Sequence, residues 1–141
     1  MQSYASWEPA LREAGFVDLV RVAGGPEGLV LTLVPFAGAE SSSNPSSASF
    51  TSVEVVFELP RAYRCIDEGY RLVEPAIPGS APAAFVYAVS DSAFLAEFHA
   101  LSDGHLEGFD LVHWFVPSAN ECADVISEVP PDIRVVRGPG K

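Results

Sequence analysis

The sequence is poor in lysine, in cysteine and in long apolar runs. Lysine occurs once among 141 residues and cysteine twice, and no apolar run approaches the roughly 20 residues that a membrane-spanning helix needs. Neither Cys65 nor Cys122 has a neighbouring cysteine, which argues against a zinc ribbon or a redox pair and predicts two free thiols. Residues 1–8 lack the basic head and the apolar stretch of a signal peptide. We therefore expect a soluble, cytoplasmic protein.

Basic residues are also missing from a long part of the chain. Residues 72–133 hold ten acidic side chains and neither lysine nor arginine, and the formal net charge is −11 at pH 7. The pI is about 4.5. Bare nucleic acid or anionic lipid would be repelled within a Debye length of about 8–10 Å, which argues against both as partners. Because natural surfaces mix both signs, the imbalance serves either solubility or a cationic partner.

The hydrophobic periodicity predicts a single α+β domain over residues 1–141, with a mixed, mostly antiparallel sheet and about three helices packed on it. The predicted helices are 6–15, 92–101 and 119–129. The predicted strands are 16–22, 29–34, 50–59, 63–66, 70–73, 84–89, 111–116 and 133–136. The serine-rich segment 39–49 is predicted to be a flexible loop, and residues 138–141 a loose tail.

The helix predicted over 119–129 carries the main functional prediction. Ser118 and Glu121 have the spacing of a capping box at its start. One face of this helix would be apolar, formed by Cys122, Val125, Ile126 and Val129. The opposite face would carry Glu121, Asp124 and Glu128, which repel one another by roughly 0.2–0.5 kcal/mol per pair. A surface tolerates so small a cost, and an unneutralised row of carboxylates is complementary to a cationic partner.

The charge pattern therefore predicts a small acidic binding domain that neutralises or sequesters a basic protein partner. Its physical class resembles that of immunity proteins, which inhibit toxins, and a toxin domain is one such basic partner. This resemblance rests on size, charge and the lack of catalytic motifs. The predicted partner-binding residues are Asp103, Glu107, Asp110, Glu121, Asp124, Glu128 and Asp132.

Two alternatives stay open. A small enzyme or ligand-binding domain would build its pocket from His99, His113 and nearby acids. Because the histidines lack a zinc-site spacing such as H-E-x-x-H and the chain has no G-x-S-x-G elbow, we predict no catalytic residue, no metal ligand and no cofactor. The other alternative is a structural or oligomeric protein without a ligand, paired through strand edges as a homodimer.

Overall fold

Nine β-strands and one short α-helix form the described part of the chain, and 62% of its residues lie in strands. A computed structural model of the protein describes residues 2–7, 17–26, 28–35, 51–67, 84–106 and 108–136. The strands are β1 (Ser3–Trp7), β2 (Val17–Gly25), β3 (Gly28–Pro35), β4 (Ser52–Phe57), β5 (Pro60–Asp67), β6 (Val86–Ser90), β7 (Val112–Val116), β8 (Glu121–Ser127) and β9 (Asp132–Val136). The helix α1 (Ala93–Leu101) lies between β6 and β7.

These strands form two antiparallel sheets that pack face to face. Sheet A has the order β1-β6-β7-β8-β5, and sheet B has the order β2-β3-β4-β9. Every described strand pairing is antiparallel. The inner faces of both sheets share one apolar core, formed by Val17, Leu19, Leu29, Leu31, Leu33, Val53, Val55, Phe57, Phe85, Val86, Trp114, Val116, Ala123 and Val125. The predicted mixed α+β fold with about three helices is therefore wrong, because the described chain is a sandwich of two sheets.

Most of the predicted strands are present with small changes at their ends. The strand predicted at 50–59 is confirmed as β4, in which Val53, Val55 and Phe57 are all fully buried in the core. Leu59 belongs to the predicted strand, but it lies beyond the end of β4 and is 64% exposed. The predicted strand at 70–73, the loop at 39–49 and the tail at 138–141 lie outside the described residues.

Two of the three predicted helices are wrong where the structure describes them. Ser6 and Trp7 belong to β1 and pair with β6, and the rest of the segment 6–15 is outside the described residues. The segment predicted as the acidic helix contains β8, which lies between β7 and β5. Its residues from Cys122 to Ser127 are all buried, because the sheet core covers one face and side chains of sheet A's outer face surround the other. A strand buried on both faces shows no polar alternation, so its apolar spacing also fits a helix.

The turn before β8 replaces the predicted capping box. Ser118 Oγ donates to the carbonyl oxygen of Glu121, which closes a turn instead of starting a helix. Asn120 then joins the two sheets, since its Oδ1 accepts from the Leu19 amide at 2.9 Å and its Nδ2 donates to the Leu19 carbonyl at 3.0 Å. The Ala119 amide also donates to the carbonyl of Val17 at 2.7 Å. These bonds satisfy backbone groups at a bulge of the edge strand β2.

Helix α1 is confirmed at the predicted place. Ser92 is its N-cap residue, and the Oγ of Ser92 accepts from the Leu95 amide at 2.9 Å. Asp91 has a φ of 52°, which turns the chain sharply between β6 and the helix. None of the helix's residues is buried. Phe94, Leu95, Phe98 and His99 are half-buried, so one side of the helix is partly covered along its length.

Candidate functional site

Four polar residues form a continuous chain of hydrogen bonds across the outer face of sheet A. Arg64 lies on β5, directly opposite Asp124 on the neighbouring strand β8. His113 lies on β7, on the other side of β8, and Ser92 caps the helix that follows β6. The chain therefore joins three adjacent strands to the start of α1, and we call it the polar chain.

The distances in the polar chain are short and its centre is buried. Arg64 Nε donates to Asp124 Oδ2 at 3.0 Å, and His113 Nε2 lies 2.6 Å from Asp124 Oδ1. His113 Nδ1 lies 2.6 Å from Ser92 Oγ. The side chains of Asp124 and His113 are 0% and 1% exposed, whereas that of Arg64 is 29% exposed. Ser92 is half-buried, so it is the member nearest to solvent apart from Arg64.

The donor and acceptor roles along the polar chain follow from the carboxylate. Because the ionised Asp124 only accepts, Nε2 of His113 carries the proton that it donates. In the neutral ring Nδ1 then accepts from the hydroxyl of Ser92, which itself accepts from the amide of Leu95. The buried carboxylate is balanced by the guanidinium of Arg64, so the chain places no uncompensated charge in the fold.

Phe94 covers the polar chain from the helix side. Its ring meets the ring of His113 edge-on with centroids 5.3 Å apart. The guanidinium of Arg64 lies over the same Phe94 ring at 4.2 Å from the centroid. Gln2 completes the attachment of the helix, because its side-chain carbonyl accepts from the amide of Ala93 at 2.7 Å. The start of α1 is thus held by polar and aromatic contacts.

Chemically, the polar chain has the order of a serine–histidine–aspartate triad. A hydroxyl meets one nitrogen of an imidazole, whose other nitrogen is oriented by a buried carboxylate. The same contacts also fasten the helix to sheet A, since Ser92 serves at once as the cap and as the partner of His113. Sequence reasoning named His113 as a candidate but missed Ser92, Asp124 in this role and Arg64. Arg64 and Asp124 are 60 positions apart, and no local pattern connects them.

The seven acidic residues of the predicted partner-binding set do not form one row. Asp124 is fully buried and bonded inside the protein, so it does not face a partner. Asp103 and Asp110 are exposed in the turn that follows α1, and Glu107 lies outside the described residues. Glu121 is exposed at the start of β8. The turn that follows α1 leads into β7 beside the opposite end of β8, so Glu121 lies far from Asp110.

The last two members of the set form ion pairs. Glu128 lies 3.7 Å from Arg61, and Asp132 lies 3.3 Å from Arg134. Both pairs are well exposed, and such pairs contribute little to stability. Residues 72–133 contain no lysine or arginine, but arginines from outside this segment pair with three of its acids. Arg64 pairs with the buried Asp124, and the two arginines above pair with the exposed acids.

Exposed carboxylates nevertheless gather at one end of the sandwich. Here β4, β6 and β8 finish and β5, β7 and β9 begin, as the pairing of Ser127 with both Pro60 and Val112 indicates. We call this the acidic end, and its exposed carboxylates are Glu58, Asp91, Asp110, Glu128 and Asp132. Of the described residues there, Arg61 and Arg134 are basic, so five carboxylates face two guanidinium groups, a net charge of −3.

The other histidines do not join the polar chain through any described contact. His99 lies on α1 beside Phe98, with ring centroids 6.1 Å apart, and its Nδ1 is buried without a hydrogen-bond partner among the described residues. His105 is exposed in the following turn. Within the described ranges, no group of three or more histidine, cysteine or acidic side chains is placed to hold a metal ion. The one helix described, of nine residues, is too short to cross a membrane.

Burial raises the pKa of the Cys65 thiol above its ordinary value of 9.0, and the charges of Glu121 and Asp124 and the Cys122 side chain raise it further. Neither cysteine is in a disulfide, and Cys122 is buried. We expect alkylation of Cys65 by iodoacetamide in a Cys122→Ser variant to accelerate with pH along a curve centred above 9.0. The rate measured from pH 7 to 11 checks this, because a plateau reached below pH 9 would contradict it.

No family model matches the chain, and neither a curated protein nor a solved structure is significantly similar to it.

Proposed function

We propose that the protein is a small acidic binding domain that neutralises or sequesters a basic protein partner, and that the acidic end is the surface it presents. The observation that supports this most is that five carboxylates, from four connections between elements and from the start of β9, meet at one end of the sandwich, against two arginines. Loops held by a sheet framework are the usual place for binding residues. The negative electrostatic potential of these carboxylates would raise the association rate of a cationic partner and orient it.

Apolar side chains at the acidic end add to the support for a protein partner. Leu59 is 64% exposed and follows Glu58, and Phe109 is 44% exposed and precedes Asp110. Exposed apolar groups of this kind serve as anchors when a partner removes them from water. A surface that only conferred solubility would gain nothing from them.

Arg61 illustrates the chemistry that such a partner would use. Its guanidinium lies 5.1 Å from the centroid of the Phe109 ring and 3.7 Å from a carboxylate oxygen of Glu128. A partner's arginine would be bound by the same combination of an aromatic face and a carboxylate. The partner class we propose is therefore a basic protein, such as the toxin domains that immunity proteins inhibit, and the proposed site of action is the cytoplasm.

Charge reversal at the acidic end tests this proposal. We expect the double variant Glu58→Lys/Asp110→Lys to bind a labelled peptide of alternating lysine and leucine about tenfold more weakly than the wild type at low salt. Both residues are exposed, so the fold is expected to persist. Fluorescence anisotropy gives the dissociation constants, and the wild-type affinity is expected to fall as salt is added.

The matched control reverses the same number of charges elsewhere. Glu121 begins β8 and Asp18 lies near the start of β2, both at the opposite end of the sandwich. The variant Asp18→Lys/Glu121→Lys is expected to change the affinity less than about twofold, because its charges lie beyond the Debye length from the acidic end. Equal weakening by the two variants would mean that net charge alone attracts the peptide, and no weakening by either would contradict the proposed surface.

A further inference from the structure

We propose that the hydroxyl of Ser92 is a nucleophile toward carboxylic esters, with His113 as its general base. The hydroxyl oxygen lies 2.6 Å from His113 Nδ1, and His113 Nε2 lies 2.6 Å from Asp124. Both distances are within the range required between a nucleophile, its base and the group that orients the base. The buried Asp124, itself fixed by Arg64, holds the imidazole in the tautomer whose Nδ1 is free of a proton.

The local backbone is that of a sharp turn from a strand into a helix. Strand β6 ends at Ser90, Asp91 takes a φ of 52°, and α1 begins directly after Ser92. A non-glycine residue with positive φ is uncommon, and such strain recurs at functional sites. A turn of this kind places a hydroxyl beside the helix N-terminus, where backbone amides point outward without intrahelical acceptors.

One of those amides already binds a carbonyl oxygen. In strand–turn–helix hydrolases, the amide of the residue after the nucleophile stabilises the oxyanion. Here that residue is Ala93, and its amide donates to the side-chain carbonyl of Gln2 at 2.7 Å. The carboxamide of Gln2 thus stands in for the carbonyl of a substrate. Gln2 lies just before the edge strand β1, and its side-chain Nε2 donates to the hydroxyl of Tyr4 at 3.1 Å.

The reaction that this arrangement supports is a two-step ester hydrolysis. Ser92 Oγ forms a bond to the carbonyl carbon while its proton passes to His113 Nδ1. The side chain of Gln2 leaves the Ala93 amide, which then donates to the negatively charged carbonyl oxygen. The bond to the leaving alkoxide then breaks, and His113 returns the proton to that alkoxide. Water, deprotonated by His113, next attacks the carbonyl carbon of the acyl-serine ester. The bond to Ser92 Oγ then breaks, His113 returns its proton to that oxygen, and the carboxylic acid is released.

The surrounding charge limits the substrate class. Asp91 precedes the nucleophile and is exposed, and the acid Glu97 is exposed on α1. Phosphate esters and other anions are repelled by these carboxylates, whereas an uncharged or cationic ester is not. The Phe94 ring, half-buried next to His113, offers an apolar contact for the acyl or alkyl part. The substrate class is therefore a neutral or cationic carboxylic ester.

Covalent labelling with a neutral fluorophosphonate tests the nucleophile. We expect one adduct per chain, located at Ser92 by peptide mass spectrometry, together with hydrolysis of p-nitrophenyl acetate. Ser92→Asn is expected to abolish both while keeping the fold, since asparagine is as good an N-cap as serine. His113→Gln is expected to slow labelling by about 10²-fold. Gln2→Ala is expected to speed labelling several-fold, because it frees the Ala93 amide.

Ser90→Ala is the matched control, because it removes an exposed hydroxyl two residues earlier on the same turn. Its labelling rate is expected to equal that of the wild type. The proposal is overturned if neither the wild type nor Gln2→Ala forms an adduct at Ser92. It is also overturned if Ser92→Asn hydrolyses p-nitrophenyl acetate at the wild-type rate. Thermal unfolding of each variant shows that it is folded, and binding of the lysine–leucine peptide to Ser92→Asn is expected to be unchanged.

Discussion

Replacing Asp124 with alanine is expected to lower the free energy of unfolding by about 3–5 kcal/mol. The carboxylate is fully buried and bonded to both Arg64 and His113. Its removal leaves a partly buried guanidinium without its counter-charge and a buried ring nitrogen without its acceptor, and each loss is costly. Urea denaturation followed by tryptophan fluorescence measures the change, because Trp114 lies in the core that both sheets share.

Glu121→Ala provides the control on the same strand. Glu121 is exposed at the first position of β8, so its removal is expected to change stability by no more than about 0.5 kcal/mol. In the helix predicted from the sequence, both residues would be exposed. The two variants would then lower the free energy of unfolding by similarly small amounts. A loss of less than about 1 kcal/mol for Asp124→Ala would therefore contradict the polar chain and favour that helix.

Gly28→Ala is expected to destabilise the protein by about 2–5 kcal/mol. Gly28 begins β3 with a φ of 105°, a conformation that residues with a Cβ rarely adopt. An added Cβ would also collide with the carbonyl oxygen of Phe57, and it would lie 2.8 Å from that of Glu58. Both oxygens belong to the backbone at the end of the neighbouring strand β4. The clash is therefore relieved only if the backbone of the sheet shifts. Chemical denaturation of the variant measures the effect.

Gly25→Ala is the matched control for this variant. Gly25 pairs with Gly28 across the same hairpin, but a Cβ added to it would meet no heavy atom within 4 Å. Its substitution is expected to change stability by about 0.5 kcal/mol or less. Equal destabilisation by the two variants would show that the hairpin needs flexibility at both positions and would contradict a local clash at Gly28.

The two functional proposals concern neighbouring parts of one surface. Ser92 follows Asp91, which belongs to the acidic end, so a protein bound there would lie close to the hydroxyl. Their tests stay separate because they change different properties. Ser92→Asn removes a hydroxyl without altering charge, whereas Glu58→Lys and Asp110→Lys reverse charges without touching the polar chain. Loss of ester hydrolysis in the first variant therefore says nothing about binding to a basic partner.

Sequence patterns predicted strands with one face on the core better than strands that are covered on both faces. In β4 the inward residues Val53 and Val55 alternate with Ser52 and Glu54, since one face of this strand packs on the core and the other is less buried. The alternation of apolar and polar residues in such a strand can be recognised from the sequence. In β8 both faces are covered, and nothing in its local spacing distinguishes a strand from a helix.

The candidate site was predictable only in part for the same reason. His113 was named as a candidate pocket residue, but its partners Asp124 and Ser92 lie on β8 and at the cap of α1. Asp124 was predicted at the surface because a helix over residues 119–129 would place it opposite the apolar face. Its counter-charge, Arg64, is supplied by strand pairing across 60 positions.

By itself, the sequence determined the net charge, the absence of bases over residues 72–133, most of the strands and the position of α1. These features depend on composition and on contacts between residues close in the chain. Tertiary structure alone decided that residues 121–127 are a central strand, which carboxylate is buried, and which carboxylates meet at one end of the sandwich. Strand pairing brings distant residues together, and burial sets the cost of leaving a charge unpaired, so neither outcome can be read from local spacing.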